Sequence, residues 1–255
     1  MQDQLLRVKY GSIQVFYKVN LGGGGNSFGQ DFIPVVKRLF RHVGRVCEFG
    51  AGPGFIGFSL LANGLCDSLC LVDVNPEAIK LVRQTVAYNQ LEDKVAVYLS
   101  DGLRQVARDE RWDLVVSNPP FFNGTQQQRS NDIKAFDPDW KIHREFYATV
   151  PAFLTSGGFT LFVESEYGSN SEIWKEMILN SGLDYVRSFK SKSTIIWGLI
   201  IWGLLVSEIK YNGLNRALLQ RFLRYLGKGK MVAVLHRERY PFYFVLGRSR
   251  TRLNS

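Results

Sequence analysis

The sequence predicts an α/β protein built on a doubly wound parallel sheet of seven strands. From Arg45 onward, short apolar runs alternate with stretches of helical spacing, the pattern of a parallel sheet covered on both faces. The first of these runs opens into a glycine turn, "GAGPG", and then into a helix. Later runs carry Asp73, Asp101 and Asn118 at their ends. Those are the ends beyond which open α/β sheets bind ligands.

The elements follow in order. Residues 5–19, "LLRVKYGSIQVFYKV", alternate on either side of Gly11-Ser12 and predict a β-hairpin. "LGGGGNS" is a glycine stretch, and a helix is expected from about Asp31 to Phe40, with Phe32, Val35, Val36 and Leu39 at helical spacing. "RVCEF" is the first strand of the sheet, and "FIGFSLLANG" a helix closing at Gly64. "SLCLVDV" is the second strand, followed by a helix with Asn75 as cap, Pro76 at its first position and Glu77 in its first turn. "KVAVYL" is the third strand, a short helix is expected at 103–109, and "WDLVVS" is the fourth strand. Helix 140–154, strand "GFTLFVES", helix 171–180 and strand "LDYVRSF" complete the alternation. "YPFYFVLGRSR" reads as a final strand.

An insertion interrupts this rhythm before the final strand. "IIWGLIIWGLLV" is a twelve-residue apolar run, short of the ~20 residues that span a bilayer. "NRALLQRFLRYLGKGK" after it sets Leu218, Leu219, Phe222, Leu223 and Leu226 against Arg216, Arg221, Arg224 and Lys228. Such a basic amphipathic helix fits a membrane interface or a hairpin packed on the sheet. Charge divides at the same place. Residues 187–255 hold 14 Lys and Arg against 2 acids, and the remainder holds 18 against 21, so a body near −3 carries a region near +12. That asymmetry points to an anionic partner, RNA or a membrane surface, the alternative being a solvated basic face with no partner.

The bulk numbers are those of a globular protein, with 45% apolar and 22% charged residues. The first residues alternate and are charged, unlike a secretory leader. Cys47, Cys66 and Cys70 stand in apolar contexts without metal-ligand spacing. No metal is expected, and reduced thiols point to a cytoplasmic protein, with peripheral membrane contact through the insertion left open.

Gly50, Gly52 and Gly54 permit close approach of a ligand to the backbone at a helix start. Their spacing is not the G-x-G-x-x-G of dinucleotide folds, which disfavours a nicotinamide enzyme. Asp73 suits ribose hydroxyls and Asp101 an adenine amino group, although each could instead cap a helix. In "SNPPFF", Asn118 supplies an amide, Pro119 and Pro120 a stiff backbone, and Phe121 a flat apolar face.

Glu48-x-Gly50-x-Gly52-x-Gly54, Asp73, Asp101 and Asn118-Pro-Pro-Phe together resemble class I S-adenosylmethionine-dependent methyltransferases. Within these the chain is similar to the (Asn/Asp)-Pro-Pro-(Tyr/Phe) group, which methylates adenine or guanine amino groups or glutamine amides. The resemblance implies a Rossmann-like sheet and S-adenosylmethionine as cofactor, held by Glu48, Gly50, Gly52, Gly54, Asp73, Asp101 and Asn118. It also implies catalysis by Asn118, Pro119 and Phe121, the first two accepting the N–H bonds of a planar nitrogen and the third stacking on it. Phe28-Gly29-Gln30-Asp31 is a further segment expected to close over cofactor or substrate. His143, a lone histidine, is expected as a surface or helix position. The expected division is an N-terminal hairpin and helix (1–40), a methyltransferase core (41–189), a basic and apolar insertion (190–240), and a final strand with basic tail (241–255). The acceptor stays open between an RNA base, a small or lipid-like molecule near a membrane, and no acceptor at all in a cofactor-binding scaffold.

Overall fold

A computed structural model of the protein describes residues 4–18, 21, 26–190 and 242–250. The expected hairpin forms as β1 (Leu6–Tyr10) and β2 (Ile13–Tyr17), turning at Gly11 with φ 53°. It docks on the chain's third helix. The amide of Asn89 donates to the carbonyl of Gln14 and accepts from its N–H, both at 2.9 Å, and the Phe16 N–H reaches Thr85 Oγ1 at 3.0 Å.

The sheet has seven strands: β3 (Val43–Phe49), β4 (Cys66–Asp73), β5 (Val95–Leu99), β6 (Trp112–Ser117), β7 (Leu154–Ser165), β8 (Asp184–Phe189) and β9 (Phe242–Arg248). Their order is β5-β4-β3-β6-β7-β9-β8. The first five in space are parallel, and β9 runs antiparallel between β7 and β8. The doubly wound sheet expected from the sequence is therefore present, reversed in sense at its last strand. Strand order reverses at β3, whose two parallel partners are β4 and β6. At such a switch point the connecting helices diverge to opposite faces and leave a crevice beyond the strand ends.

Side chains alternate cleanly across this sheet. Val46, Leu69, Leu71, Leu114, Val116, Leu161 and Phe244 face a layer made by the hairpin, α1 (Asn26–Phe40), α2 (Phe55–Ala62) and α3 (Pro76–Tyr88). Cys47, Cys70, Val72, Val115, Phe162 and Val245 face the other layer, with α5 (Lys141–Thr149) and α6 (Ser171–Asn180). Helix α2 is apolar on every side because it lies between the sheet and α1, and its first six residues are all buried. It approaches α1 so closely that a Cβ on Gly29 would overlap the Phe55 carbonyl.

Several elements depart from the sequence-based expectation. Helix α1 begins at Asn26 rather than Asp31 and holds Pro34 in its interior, while Asp31 is buried within it instead of starting it. The helix expected at 103–109 is a series of turns. The helix expected at 140–154 ends at Thr149 in a 3-10 turn containing Pro151, which cannot donate to the preceding turn. A short helix, α4 (Gln126–Asn131), is capped by Thr125 and Gln128, each side chain bonding the other's backbone N–H. It went unseen because it has no apolar face. The apolar run and basic amphipathic segment before the final strand lie outside the described residues. Among the described residues no helix is long and apolar enough to cross a membrane.

The contact between α1 and α2 is testable. Gly29→Ala should cost on the order of 1–3 kcal/mol through overpacking against backbone, read as a lowered midpoint in urea unfolding. An unchanged midpoint would mean that the two helices are not this close.

Candidate active site

The chain leaves β3 at Phe49 and turns through three glycines in the left-handed region: Gly50 (φ 64°), Gly52 (φ 52°) and Gly54 (φ 81°). Residues with a Cβ pay for that conformation. Two carboxylates fix the turn. Glu48, buried under α2, accepts the N–H of Gly57 at 2.6 Å and of Ile56 at 3.2 Å, satisfying the free donors of the first helical turn. Asp73, at the end of β4, accepts Gly52 N–H on Oδ2 at 2.6 Å and Asn75 N–H on Oδ1 at 2.7 Å. Asn75 in turn caps α3 through the Glu77 N–H at 2.9 Å. On the other side of β3, the hydroxyl of Ser117 donates to the Phe49 carbonyl at 2.8 Å, tying the end of β6 to the turn just before Asn118.

These strand ends surround a cavity of about 480 Å³. Glu48, Gly50, Gly52, Asp73, Asp101, Asn118 and Pro119 line it together, with Gly29 of the Phe28–Asp31 segment. Of the residues singled out in the sequence, Gln30 and Asp31 lie off the lining, as do Gly54 and Phe121. Gly54 is the left-handed entry to α2, packed against Phe58 and Leu71. Phe121 rests its ring on Phe242 of β9, centroids 5.1 Å apart. Asp101 is exposed and pairs with Arg104 at 2.7 Å, and Arg104 continues to Glu145 of α5 at 3.0 Å.

The lining also includes residues the sequence did not reveal: Arg129, Ile133 and Lys134 from the segment after the Asn-Pro-Pro motif, and Ile142 and Glu145 from α5. No spacing connects them to the strand ends. His143 is a correction. Expected at the surface or on a helix, it lies on α5 but is buried at 1% exposure between Asp137 and Glu164. One signal could have shown this, since Phe146 and Tyr147 stand three and four residues on, which puts His143 on the apolar face of α5.

Four acids, Glu48, Asp73, Asp101 and Glu145, are among the lining residues, together with Arg129 and Lys134. Burial pushes the Glu48 carboxyl up to about 8, against the pull of the two α2 N–H groups. Burial also raises Asp73, opposed by its own backbone donors. A pocket of this size, with glycine backbone and Asp73 at one wall, suits a small ligand that carries hydroxyl groups.

A glycine turn and strand-end acids on one cavity lie where open, doubly wound sheets bind ligands. The comparisons name the class. The family profile described as Methyltransferase small domain matches residues 32–180, and the chain belongs to that family, among the class I S-adenosylmethionine-dependent methyltransferases. It is 34% identical over 124 residues to the Ribosomal RNA small subunit methyltransferase C of Shewanella loihica, covering 49% of this chain and 32% of that protein. It is 30% identical over 96 residues to the Release factor glutamine methyltransferase of Clostridium acetobutylicum, covering 37% of this chain and 34% of that one. The chain thus matches about a third of the length of these curated relatives. Its fold is similar to Haemonchus contortus Phosphoethanolamine N-methyltransferase 2, solved with S-adenosyl-L-methionine, at TM-score 0.57 and 12% identity over 88% of this chain and 53% of that one. An O-methyltransferase of Brevibacillus brevis, solved with S-adenosyl-L-homocysteine, aligns at TM-score 0.52 and 12% identity over 89% and 73%.

The raised carboxyl of Glu48 has a consequence for stability. An acid whose folded pKa lies above its unfolded value stabilises the fold fully at low pH and loses that contribution as pH rises. For Glu48 the window runs from 4.5 to about 8. Across it, the thermal midpoint of the ligand-free protein should fall relative to that of Glu48→Gln, which has no proton to lose. The predicted change amounts to a few kcal/mol at most. A difference between the two proteins that does not vary with pH would refute the shift.

Proposed function

We propose that the chain transfers a methyl group from S-adenosylmethionine to the exocyclic amino group of an RNA base. The observation that carries this reading is that Asn118, Pro119 and Pro120 open on the same cavity as the glycine turn and Asp73. The lining fits the cofactor, because Glu48 and Asp73 stand with the left-handed Gly50 and Gly52 on one cavity of about 480 Å³. Glu48, Gly50 and Gly52 would hold the amino acid portion, Asp73 the ribose and Asp101 the adenine. Gly54 serves by shaping the turn into α2.

A conjugated amino nitrogen is a poor nucleophile because its lone pair is delocalised. The Asn118 side-chain oxygen and the Pro119 carbonyl would accept its two N–H bonds, holding the nitrogen in line and localising the lone pair. The two prolines keep that carbonyl's direction fixed. Bound S-adenosylmethionine supplies an electrophilic methyl: nitrogen gains the carbon, sulfur keeps the electrons of the broken bond, and nitrogen releases one proton to water. Positioning provides most of the acceleration, so no strong base is needed. Phe121 backs the motif from the core, and the stacking role expected of it requires its ring to leave Phe242.

Three observations favour RNA over the other acceptors. Arg129 and Lys134 stand in the lining and can meet phosphate. The region from 187 to 255 carries a net +12. A relative's name specifies ribosomal RNA. The glutamine amide named for the other relative has the same planar N–H chemistry and is the second reading.

Two experiments test this. Asn118→Ala should lower turnover about 10²-fold or more while cofactor affinity stays within a few-fold. Equal turnover in the variant would remove Asn118 from the chemistry. Methyl transfer from labelled S-adenosylmethionine into an extract of cells lacking the protein, separated into RNA, protein, lipid and small-molecule fractions, should label RNA. Label in protein favours the glutamine reading, and label in lipid or a soluble molecule overturns both. Cofactor binding with no label in any fraction would make the chain a scaffold.

A further inference from the structure

His143 lies within an aromatic layer far from what a neutral helix position requires. Its ring stacks on Trp174 at 4.5 Å and meets the edge of Trp140 at 5.5 Å. Nδ1 is 2.6 Å from Asp137 Oδ2, and Nε2 is 3.1 Å from Glu164 Oε1. Asp137 also accepts the first-turn N–H groups of α5, Ile142 at 2.9 Å and His143 at 3.2 Å. Burial lowers the histidine's proton affinity, but Glu164 and Asp137 outweigh it and push His143 up to about 9. Asp137 is held below the usual carboxylate range, burial being overcome by its bonds to His143. The pair is therefore ionic inside an apolar layer. Burying such a group is expensive, and apolar side chains of equal volume often stabilise a core as well or better. Stability alone does not account for it.

What the three residues join does account for it. After the Asn-Pro-Pro motif the chain leaves at Phe122, forms α4, and returns at Phe136, pairing with Phe122 in a single parallel bridge. The Phe122 N–H donates to Ala135 at 3.0 Å, and the Asp137 N–H donates to the Phe122 carbonyl at 2.8 Å. Asp137 is thus the point where the loop is closed, and its side chain is fastened through His143 to β7. The loop between supplies Arg129, Ile133 and Lys134 to the cavity. Past Glu164, the turn at Gly168 lies hard on the backbone of Phe121, so a Cβ at Gly168 would collide with the Phe121 carbonyl. After Asp137 and Pro138, Asp139 (φ 55°) and Trp140 (φ 53°) are both left-handed. That conformation costs ~1 kcal/mol or more for each and persists only where neighbours over-determine it. Here Asn123 Oδ1 takes the Asp139 N–H at 2.9 Å, and Arg144 Nε donates to the Asp139 carbonyl at 2.7 Å.

We propose that Asp137, His143 and Glu164 form a buried latch that seats the 122–136 loop against the acceptor end of the cavity. They are positioning residues for acceptor binding, acting through the loop and the Phe121-Phe122 backbone. The inference rests on the methyl-transfer reading for the acceptor end and for its kinetic readout, while the latch itself is read by exchange. Helix α5 is held independently by the buried side chains of Phe146 and Tyr147, so releasing the latch should free the loop and leave the cofactor end in place.

The test is hydrogen exchange by mass spectrometry on peptides covering 122–143, in the full chain, for wild type, Asp137→Asn and His143→Gln. Glu110→Gln is the control for general loss of stability, since it weakens the Arg45–Glu110 clamp (2.7 Å) instead. Exchange in these peptides should rise about tenfold or more in the latch variants and much less in the control. Cofactor affinity, titrated directly, should stay within about threefold, and KM for the acceptor should rise more than kcat falls. Should His143→Gln fail to fold, Asp137→Asn and Glu164→Gln decide, each changing one polar atom. Exchange that is unchanged, or that rises no more than in Glu110→Gln, overturns the latch. Absence of methyl transfer in the wild type would overturn the proposed function, while the exchange result would still decide the latch.

Discussion

The parallel pairing of β3 with β4 on one side and β6 on the other is the constraint on which the cavity rests. Because the order reverses there, the connection from β3 must turn sharply at its carboxyl end while the two neighbouring strands deliver Asp73 and Asn118 beside it. The turn is held from three directions. Glu48 draws in the first N–H groups of α2, Asp73 accepts the N–H of Gly52, and the Ser117 hydroxyl donates to the Phe49 carbonyl. The same carboxylates that would face a cofactor are thus part of the scaffold that shapes its pocket.

The two faces of the sheet use buried acids in parallel ways. On one face Glu48 sits beneath α2, an otherwise apolar helix, and satisfies its orphan donors. On the other, Asp137 and Glu164 enclose His143 on α5, and Asp137 satisfies the donors of that helix too. Each anchors a helix whose start lies next to the cavity. A carboxylate at a helix N-terminus gains from the aligned peptide dipoles and from donors that no intrahelical carbonyl can use. Position is thereby defined by directional bonds, where apolar packing alone would tolerate small slips.

A different principle governs the far end of the sheet. The Arg45 guanidinium meets Glu110 through two bonds, at 2.8 and 2.7 Å, and Glu110 also accepts the indole N–H of Trp112 at 3.0 Å. This bidentate cluster closes the amino ends of β3 and β6 away from the cavity. Anchorage and site are separated along the strands, as expected where ligands bind only at the carboxyl ends.

The strands, their order of appearance, the glycine turn and the positions of Asp73, Asp101 and Asn118 were legible in the sequence. Each is written locally, as a short apolar run, a left-handed glycine or a polar residue closing a strand. Helix α4 and the turns at 102–106 were not, because short polar segments bonded through their own side chains carry no periodicity. The sequence also could not say that Phe121 rests on Phe242, that Asp101 pairs with Arg104, or that Arg129 and Lys134 reach the cavity. Nor could it set His143 between Asp137 and Glu164, the latter 21 residues away on another element. Those facts depend on which loop folds over which strand end, and that is settled only when the sheet has assembled and its layers have packed.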